Sequence, residues 1–305
     1  MLLLIKYTLL YAMVLMLVAL GGCFSEHSGI INIALEGIMA IGGLAGVIAI
    51  VLLPTTLPGA VIVLVSVLAA GLSGILYASL LAFASVNLKA DQTIGGTALN
   101  LLATALAMVV VKRFNGVQSS KMSYSNSAFI YNIGGVTVNV FLFIGLALLI
   151  AAILVMYRTR FGLRLRACGE HPQAADSAGV NVYRMRWSGT LISGFLGGIG
   201  GLAYIVPAVQ TWNFEVGVAG MGFLALAVMI FGQWKPGRIF FAATFFAVFK
   251  ALANIADSTF LASLAWPKEI YNMMPFIASM IILAFTSKHS RAPKAEGIPY
   301  DKGAR

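Results

Sequence analysis

Residues 57–86 of the chain read LPGAVIVLVSVLAAGLSGILYASLLAFASV and contain no charged side chain. A helix needs about 20 apolar residues to cross a hydrocarbon core about 30 Å thick, so this stretch predicts a membrane span. Eight further apolar blocks also predict spans, three of which contain one charged residue each (Lys6, Glu36 and Lys250): Leu2–Gly22, Gly29–Leu53, Ile94–Val111, Val136–Tyr157, Trp187–Val206, Val216–Phe231, Ile239–Ile255 and Ile270–Phe285. The chain is therefore predicted to be an all-α polytopic membrane protein.

The blocks differ in length, and this indicates some irregular backbone. Leu57–Val86 is about ten residues longer than a bilayer requires, whereas Val216–Phe231 is short. Membrane helices adapt to such mismatch by tilting, and non-helical backbone is tolerated where protein surrounds it. We predict about eight to ten transmembrane helices with one broken or re-entrant segment. The glycine-rich run 194–201 predicts close helix packing.

Composition excludes a water-soluble globular protein. Hydrophobic residues make up 60% of the chain and charged residues 10%, against roughly 45–50% and 25% in soluble proteins. The 20 basic residues outnumber the 10 acidic ones, and most of them lie in the loop 158–186 and after residue 287. Because cytoplasmic loops of membrane proteins collect Lys and Arg, this excess indicates orientation in membrane lipid rather than nucleic-acid binding.

The charge distribution predicts a transmembrane domain over residues 1–287, with the loop 158–186 in the cytoplasm, and a basic cytoplasmic tail over residues 288–305. The expected location is the inner membrane of a bacterial cell, with the C-terminus inside and the N-terminus outside. Cys23 and Cys168 are far apart in sequence and no CxxC motif is present. No metal or other cofactor is predicted.

One element of the loop 158–186 looks soluble. Residues 169–179, GEHPQAADSAG, place Pro172 where the first helical residue tolerates a missing N–H, and Gly179 where a left-handed residue ends a helix. The small residues of this short helix, Ala174, Ala175 and Ala178, could fit closely into a groove on another protein. The alternative is a helix that only gives structure to the loop.

Residues 166–180, RACGEHPQAADSAGV, closely resemble the cytoplasmic coupling segment of ABC-importer permeases of the branched-chain amino acid and simple-sugar group. The family pattern is a basic residue, Ala, Gly, Glu, Asn or His, Pro, then Ala-Ala and a later Gly. Three more stretches resemble the nucleoside-type members: residues 25–37 (SEHSGIINIALEG), 90–103 (ADQTIGGTALNLLA) and 219–232 (AGMGFLALAVMIFG). The chain departs from the pattern at His27, where a basic residue is usual, and at Met221, where Arg is usual.

The resemblance implies a permease subunit of an ATP-driven importer, for nucleosides, with riboflavin or sugars left open as solutes. The implied partners are a second permease subunit, a cytoplasmic ABC ATPase and a substrate-binding lipoprotein. The residues implied to couple to the ATPase are Gly169, Glu170, His171, Pro172, Ala174, Ala175 and Gly179. The chain has no Gly-x-x-x-x-Gly-Lys-Ser/Thr phosphate loop, so we expect a transport subunit and not an enzyme, with ATP hydrolysis in a partner.

Four polar residues are candidates for the solute pathway. Glu36 lies inside a span, and buried ionisable groups there are costly enough to suggest function. Asn32 lies one turn earlier, and an amide with a carboxylate can bind sugar hydroxyls or ring nitrogens. Gln92 and Asn100 flank or enter the fourth block. The alternative is that these side chains fix helix packing. For Lys250 we expect a long stem that reaches an interface or a cavity, where the ammonium stays hydrated, and no contact with the solute.

A secondary transporter or channel for a small polar solute is the competing interpretation, because Glu36 and Lys250 permit ion coupling. Such a carrier needs no docking helix, and the halves of the chain show no convincing inverted repeat. A membrane-embedded enzyme is a third interpretation. His27, His171 and His289 are isolated and match no HExxH motif, which leaves catalysis without candidate residues.

Overall fold

The computed structural model describes residues 2–54, 56–116, 119–133, 136–256, 268–286 and 291–303. The chain in these ranges is mostly helical. In chain order the α-helices are α1 (Leu2–His27), α2 (Leu35–Leu52), α3 (Gly59–Ala82), α4 (Gln92–Asn115), α5 (Phe141–Arg158), α6 (Arg160–Glu170), α7 (Pro172–Ser177), α8 (Val182–Ile205), α9 (Met221–Phe231), α10 (Pro236–Asn254) and α11 (Lys268–Thr286).

The strands in these ranges are short and form two separate antiparallel pairs. β1 (Lys121–Ser123) pairs with β4 (Thr211–Asn213), and β2 (Ile130–Ile133) pairs with β3 (Val136–Asn139). The prediction of an all-α polytopic membrane protein is confirmed. One boundary was wrong: the block that starts at Val136 begins as a strand and becomes helical only at Phe141.

Each of the nine apolar blocks contains a helix. Seven described helices are long and apolar enough to cross a membrane: α1, α2, α3 with the π-helical turn that extends it to Asn87, α4, α5, α8 and α10. The short seventh block corresponds to α9, whose 11 residues span about 16 Å, roughly half a hydrocarbon core. The ninth corresponds to α11, which carries Pro275 in its interior.

Helix α1 lies at the centre of the bundle. Every residue from Leu10 to Glu26 is buried, and the helix contacts α5, α8, α9 and α10. A helix that is apolar on all sides is expected in the interior of such a bundle. The outer helices α3, α4 and α5 instead leave most of their apolar residues at the surface, where lipid would lie.

Glycines bring α8 close to two neighbouring helices. A Cβ added at Gly201 would lie 1.9 Å from the carbonyl oxygen of Met39 on α2. One added at Gly194 would lie 2.5 Å from the carbonyl oxygen of Gly74 on α3. Close backbone approach is a main source of helix association in membranes. The packing role predicted for the run 194–201 is confirmed.

Two stretches of irregular backbone interrupt the bundle. Residues 28–34, here called the unwound segment, separate α1 from α2. Residues 217–220 lead into α9 and have positive φ angles at Gly217, Ala219 and Gly220. The predicted break in the helical pattern is therefore observed, directly before α2 and directly before the half-length helix α9.

Basic residues collect at one end of the molecule, here called the Arg-rich end, which comprises residues 158–186, 235–238 and 291–303. The C-terminal part reaches α6 through the N–H of Ala295, which donates to the carbonyl oxygen of Gly169 over 2.8 Å. The β1–β4 pair lies at the opposite end, where Asn115 at the end of α4 donates to the carbonyl oxygen of Lys121.

Candidate functional site

The unwound segment is held by side chains of α4. Asn100 accepts a hydrogen bond from the N–H of Gly37 over 2.8 Å and donates to the carbonyl oxygen of Ile33 over 2.9 Å. Gln92 accepts from the N–H of Ile31 over 2.7 Å. Backbone that leaves the helix inside a membrane protein must find such partners, because lipid offers none.

Asn32 connects the same segment to α8. Its Nδ2 donates to the Ser193 hydroxyl over 2.8 Å. Among the described residues, neither Asn32 Oδ1 nor Gln92 Nε2 has a hydrogen-bond partner, and both atoms are buried. Buried amide groups without partners cost free energy and are rare. These two atoms therefore keep an unused capacity for hydrogen bonding.

Glu36 caps the N-terminus of α9 from the first turn of α2. Its Oε1 accepts from the N–H of Gly220 and its Oε2 from the N–H of Gly222, each over 2.7 Å. The first N–H groups of a helix have no partner within it, and the helix dipole favours an anion there. A Cβ added at Gly222 would lie 2.5 Å from the backbone nitrogen of Glu36, so glycine allows this close approach.

Lys250 on α10 faces the same place. The side chain is 9% exposed, and its ammonium interacts electrostatically with the Glu36 carboxylate. Of the two places expected for the Lys250 ammonium, the interface is wrong, because the side chain is buried within the bundle and interacts with an opposite charge. A carboxylate that caps a helix N-terminus therefore lies inside the molecule within electrostatic range of a buried ammonium.

The structure brings all four predicted pathway residues together around the unwound segment. Glu36 and Asn100 make the packing contacts that the alternative interpretation anticipates, whereas Asn32 and Gln92 each keep an unpaired polar atom. Sequence reasoning missed Ser193 and the N–H groups of residues 220 and 222. Nothing marks Ser193 beyond its place in a helix of small residues, and backbone donors leave no signal in a sequence.

The predicted short helix at the Arg-rich end is confirmed as α7. His171 Nδ1 accepts from the N–H of Ala174 over 3.2 Å and so caps the helix, with Pro172 in the first turn. Gly179 follows the last turn at φ +81°. Its N–H donates to the carbonyl oxygen of Asp176 over 2.9 Å.

The predicted coupling residues divide between two faces. Glu170, His171, Ala174 and Gly179 are exposed, whereas Gly169, Pro172 and Ala175 are buried against the chain itself. Ala175 packs on Cys168, Val182 and Tyr300. The prediction that Ala174, Ala175 and Ala178 form one face was wrong for Ala175. Ala174 and Ala178, one turn apart, are exposed, whereas Ala175 points the other way because adjacent helical residues face different sides.

The surface beside α7 is charged and concave. Lys302 pairs with Asp176 over 3.9 Å, and Lys89 pairs with Asp301 over 3.0 Å. The hydrogen bond from Lys89 lowers the pKa of Asp301 below its usual value. A polar cleft of about 430 Å³ lies next to the helix and is lined by Asp176, Ser177, Gly179, Val180, Asn181, Val182, Tyr183 and Lys302.

The family model described as "branched-chain amino acid transport system / permease component" matches residues 4–284 of the chain. The chain belongs to this permease family. The resemblance found in its motifs is thereby confirmed. The permease is a multi-pass membrane protein and a transport subunit rather than an enzyme, with ATP hydrolysis in a separate subunit. It associates with an ATPase.

Its relatives cover almost the whole chain. The permease is 38% identical to the nucleoside ABC transporter permease protein NupC of Lactococcus lactis subsp. cremoris, over 96% of this chain and 95% of that protein. It is also 38% identical to the guanosine ABC transporter permease protein NupQ of Bacillus subtilis, over 98% and 96%. The putative glucose ABC transporter permease protein TsgC13 of Haloferax volcanii is 30% identical, over 85% and 79%.

Proposed function

We propose that the permease forms the translocation path of an ATP-driven importer for nucleosides. The observation that carries this proposal is the 38% identity, over nearly the full length, to two permeases named for nucleoside and guanosine transport. The polar groups around the unwound segment supply suitable chemistry, because amides and carboxylates match the donors and acceptors of a base and a ribose.

In this proposal Asn32, Glu36, Gln92 and Asn100 line or control the path. Asn32 and Gln92 would use their unpaired atoms for the solute when the unwound segment opens. Glu36 and Asn100 would hold α9 and α2 at the point where the path narrows. Support comes from the interior position of these residues and from the cost of leaving buried amide groups unpaired.

The coupling surface is the exposed side of α7, namely Glu170, His171, Ala174, Ala178 and Gly179, together with the polar cleft beside it. Small side chains allow a partner's groove to approach the helix backbone closely. Gly169, Pro172 and Ala175 support this surface from behind. The partner that fits is the cytoplasmic ABC ATPase.

The Arg-rich end then faces the cytoplasm of a bacterial cell, in accord with the positive-inside rule. The C-terminus lies on the same side of the inner membrane. Residues 1–287 form the transmembrane domain and residues 288–305 the tail, although the boundary itself lies outside the described residues. A second permease subunit and a substrate-binding lipoprotein on the outer side complete the importer.

The solute is tested by competition in cells that lack other nucleoside uptake and express the permease with its partners. Uptake of labelled guanosine should be suppressed by excess unlabelled adenosine or cytidine and unaffected by glucose or leucine. Cells carrying the partners without the permease give the background. Uptake of labelled glucose that guanosine does not suppress, with no guanosine uptake above background, would overturn the proposal.

The docking surface is tested with Ala174→Arg. This substitution places a bulky charge on the exposed face, and we expect the permease to remain folded but to lose the ATPase during purification. Ala90→Arg is the matched control, because Ala90 is also exposed at the same end but lies in another loop. An Ala174→Arg protein that retained a stoichiometric ATPase would contradict the assignment of α7.

A further inference from the structure

The C-terminal residues 291–303 pack against the Arg-rich end and do not form a separate solvated tail. Tyr300 is 4% exposed and contacts Cys168, Ala175 and Val182. Its ring centroid lies 5.3 Å from that of Tyr183, in an edge-on arrangement. The segment therefore shares a small core with the inner side of α7.

One turn of this segment, residues 293–297, joins two parts of the permease that are far apart in sequence. The N–H of Ala295 donates to the carbonyl oxygen of Gly169, at the end of α6, over 2.8 Å. Two residues later, the N–H of Gly297 donates to the carbonyl oxygen of Gly29, in the unwound segment, over 3.2 Å. We call residues 293–297 the tail turn.

The residue between these two donors contacts α1. The Glu296 side chain hydrogen-bonds to Glu26, near the end of α1. Glu26 is 3% exposed and also accepts a hydrogen bond from the indole N–H of Trp234. Three consecutive residues of the tail turn thus bind α6, α1 and the unwound segment.

The contact at Gly297 depends on glycine. Its φ of +76° lies in the left-handed region, which residues with a Cβ rarely adopt. A Cβ there would also lie 2.8 Å from Cδ1 of Ile31. The N–H of Ile31 donates to Gln92, one of the candidate pathway residues. The tail turn therefore reaches the immediate surroundings of the proposed path.

We propose that the tail turn is a coupling element, which transmits movement of α6 and α7 to the unwound segment. The proposal rests on the proposed function, in which an ATPase moves α7. Coupling between sites requires physical contacts that have two arrangements. The end of α6 also touches α1 directly, since a Cβ at Gly169 would lie 2.4 Å from the carbonyl oxygen of His27. The tail turn extends that contact to the segment beyond α1.

The test measures movement of the unwound segment in the purified complex with the ATPase. An Ile33→Cys substitution gives a partly exposed thiol there. The native Cys23 and Cys168 are buried, and burial raises the pKa of the Cys168 thiol to about 11, so both should be unreactive. We expect the rate of maleimide labelling at residue 33 to differ at least threefold between the nucleotide-free and the ATP–vanadate-trapped complex.

Adding Gly297→Val should bring this ratio close to one while the ATPase stays bound. Gly303→Val is the matched control in the same segment, because among the described residues a Cβ there would meet only Asp301 Oδ1, at 3.7 Å; it should keep the ratio. If Gly297→Val does not fold, a chain truncated after residue 290 replaces it. The proposal would be overturned if the labelling rates of the two nucleotide states still differed threefold in the Gly297→Val variant. It would also be overturned if the two rates were equal in the Ile33→Cys complex without that variant.

These outcomes are separable from a failure of the proposed function. The labelling ratio depends on nucleotide and ATPase but on no particular solute, so it can be read even if guanosine is not transported. Loss of the ATPase from the Gly297→Val complex would also overturn the proposal, because the tail turn would then serve docking and not transmission.

Discussion

Glu36 joins helices that are 184 residues apart in sequence, since its two oxygens accept from the N–H groups that open α9. The carboxylate supplies what the helix end lacks, namely an acceptor for each donor and a negative charge for the dipole. Lys250 provides a nearby positive charge. A residue that carries a pathway hypothesis therefore also has a positioning role, and the two roles can be separated experimentally.

Glu36→Gln should weaken both stability and transport. Glutamine keeps the size of the side chain but has one acceptor oxygen, so its amide N–H₂ would face a backbone donor. Loss of a helix cap costs about 0.5–2 kcal/mol, which should lower the melting temperature of the purified complex by a few degrees along with guanosine uptake. Glu215→Gln, an exposed acid outside the bundle, is the control. Unchanged melting and uptake in Glu36→Gln would refute the capping role.

The Glu26–Glu296 pair gives the tail turn a dependence on pH. Burial raises the pKa of Glu296 from 4.5 to about 7, so the protonated acid is favoured while the turn is seated. Glu296 contributes free energy that favours the packed tail turn over the released one. This contribution is complete below about pH 4.5 and is lost as the pH rises through about 7. Above that range Glu296 ionises, and because burial disfavours its carboxylate in the packed turn, the released turn is favoured; the hydrogen bond from Glu26 offsets part of this effect.

The measurement that checks this is tryptic cleavage after the exposed Lys294, with wild type and Glu296→Gln compared at each pH. Glutamine cannot ionise, so the variant corrects for the pH dependence of the protease. From pH 6 to pH 8 the ratio of wild-type to variant cleavage should rise several-fold, up to about tenfold. Parallel pH profiles for the two proteins would show that Glu296 does not titrate in this range.

At the scale of residues, the sequence showed which buried polar side chains need a hydrogen-bond partner, but it did not show which groups those partners are. Asn100 lies so far inside an apolar block that it requires a hydrogen-bond partner, and the structure supplies two. Those partners are backbone groups of the unwound segment, whose register depends on how α1, α2 and α4 pack. The charge of Lys250 is equally evident in the sequence. The direction in which its side chain points depends on where Glu36 lies in the folded bundle.

At the scale of elements, α9 shows what a length mismatch in the sequence becomes in the structure. The short apolar block predicted tilt, a re-entrant piece or a broken helix, and α9 is long enough for about half of a hydrocarbon core. The sequence does not show that its N-terminus would be capped from α2. For α7 the first residue and the ending were predictable from Pro172 and Gly179, whereas the cap by His171 was not predicted. The side on which Ala175 lies depends on the cluster with Tyr300, 125 positions later.

The packing of α8 on α2 gives a prediction at this scale. Gly201→Ala places a Cβ 1.9 Å from the Met39 carbonyl oxygen, so the helices must separate. We expect a loss of about 1–3 kcal/mol in stability, the usual cost of overpacking, and reduced uptake. Thermal melts of the complex in detergent measure the effect.

Gly237→Ala is the matched substitution for this test. Within the described part of the chain, no atom outside the local helix lies within 4 Å of a Cβ at Gly237, and alanine is favoured over glycine in a helix by roughly 0.5–1 kcal/mol. This variant should melt at or slightly above the wild-type temperature. Equal melting of the two alanine variants would show that close approach at Gly201 does not hold α2 against α8.

At the scale of the molecule, the apolar blocks predicted the fold because membrane spans need long apolar runs and little else. The arrangement of the spans did not follow from that pattern. The central position of α1 and the docking of residues 291–303 depend on contacts between distant segments. The C-terminal residues were predicted to be a basic tail because their charges are evident in the sequence. The apolar cluster that buries Tyr300 forms only in the folded protein.

The molecule as a whole has two linked regions, the irregular segments inside the bundle and the short helix α7 at the Arg-rich end, for which we propose a docking role. In the proposed importer, an ATPase acts on the second and the solute passes the first. The competing interpretation, a secondary transporter or channel, would leave α7 without a partner and would draw its energy from an ion gradient. The two accounts differ in what the permease can do alone.

Guanosine uptake into proteoliposomes is the measurement that separates them most directly. We predict that vesicles holding the permease with its ATPase, its second permease subunit and the binding protein accumulate labelled guanosine when ATP is present on the ATPase side, and not when ADP replaces it. Vesicles with the permease alone should accumulate none under a proton or sodium gradient. Gradient-driven accumulation by the permease alone would contradict the account.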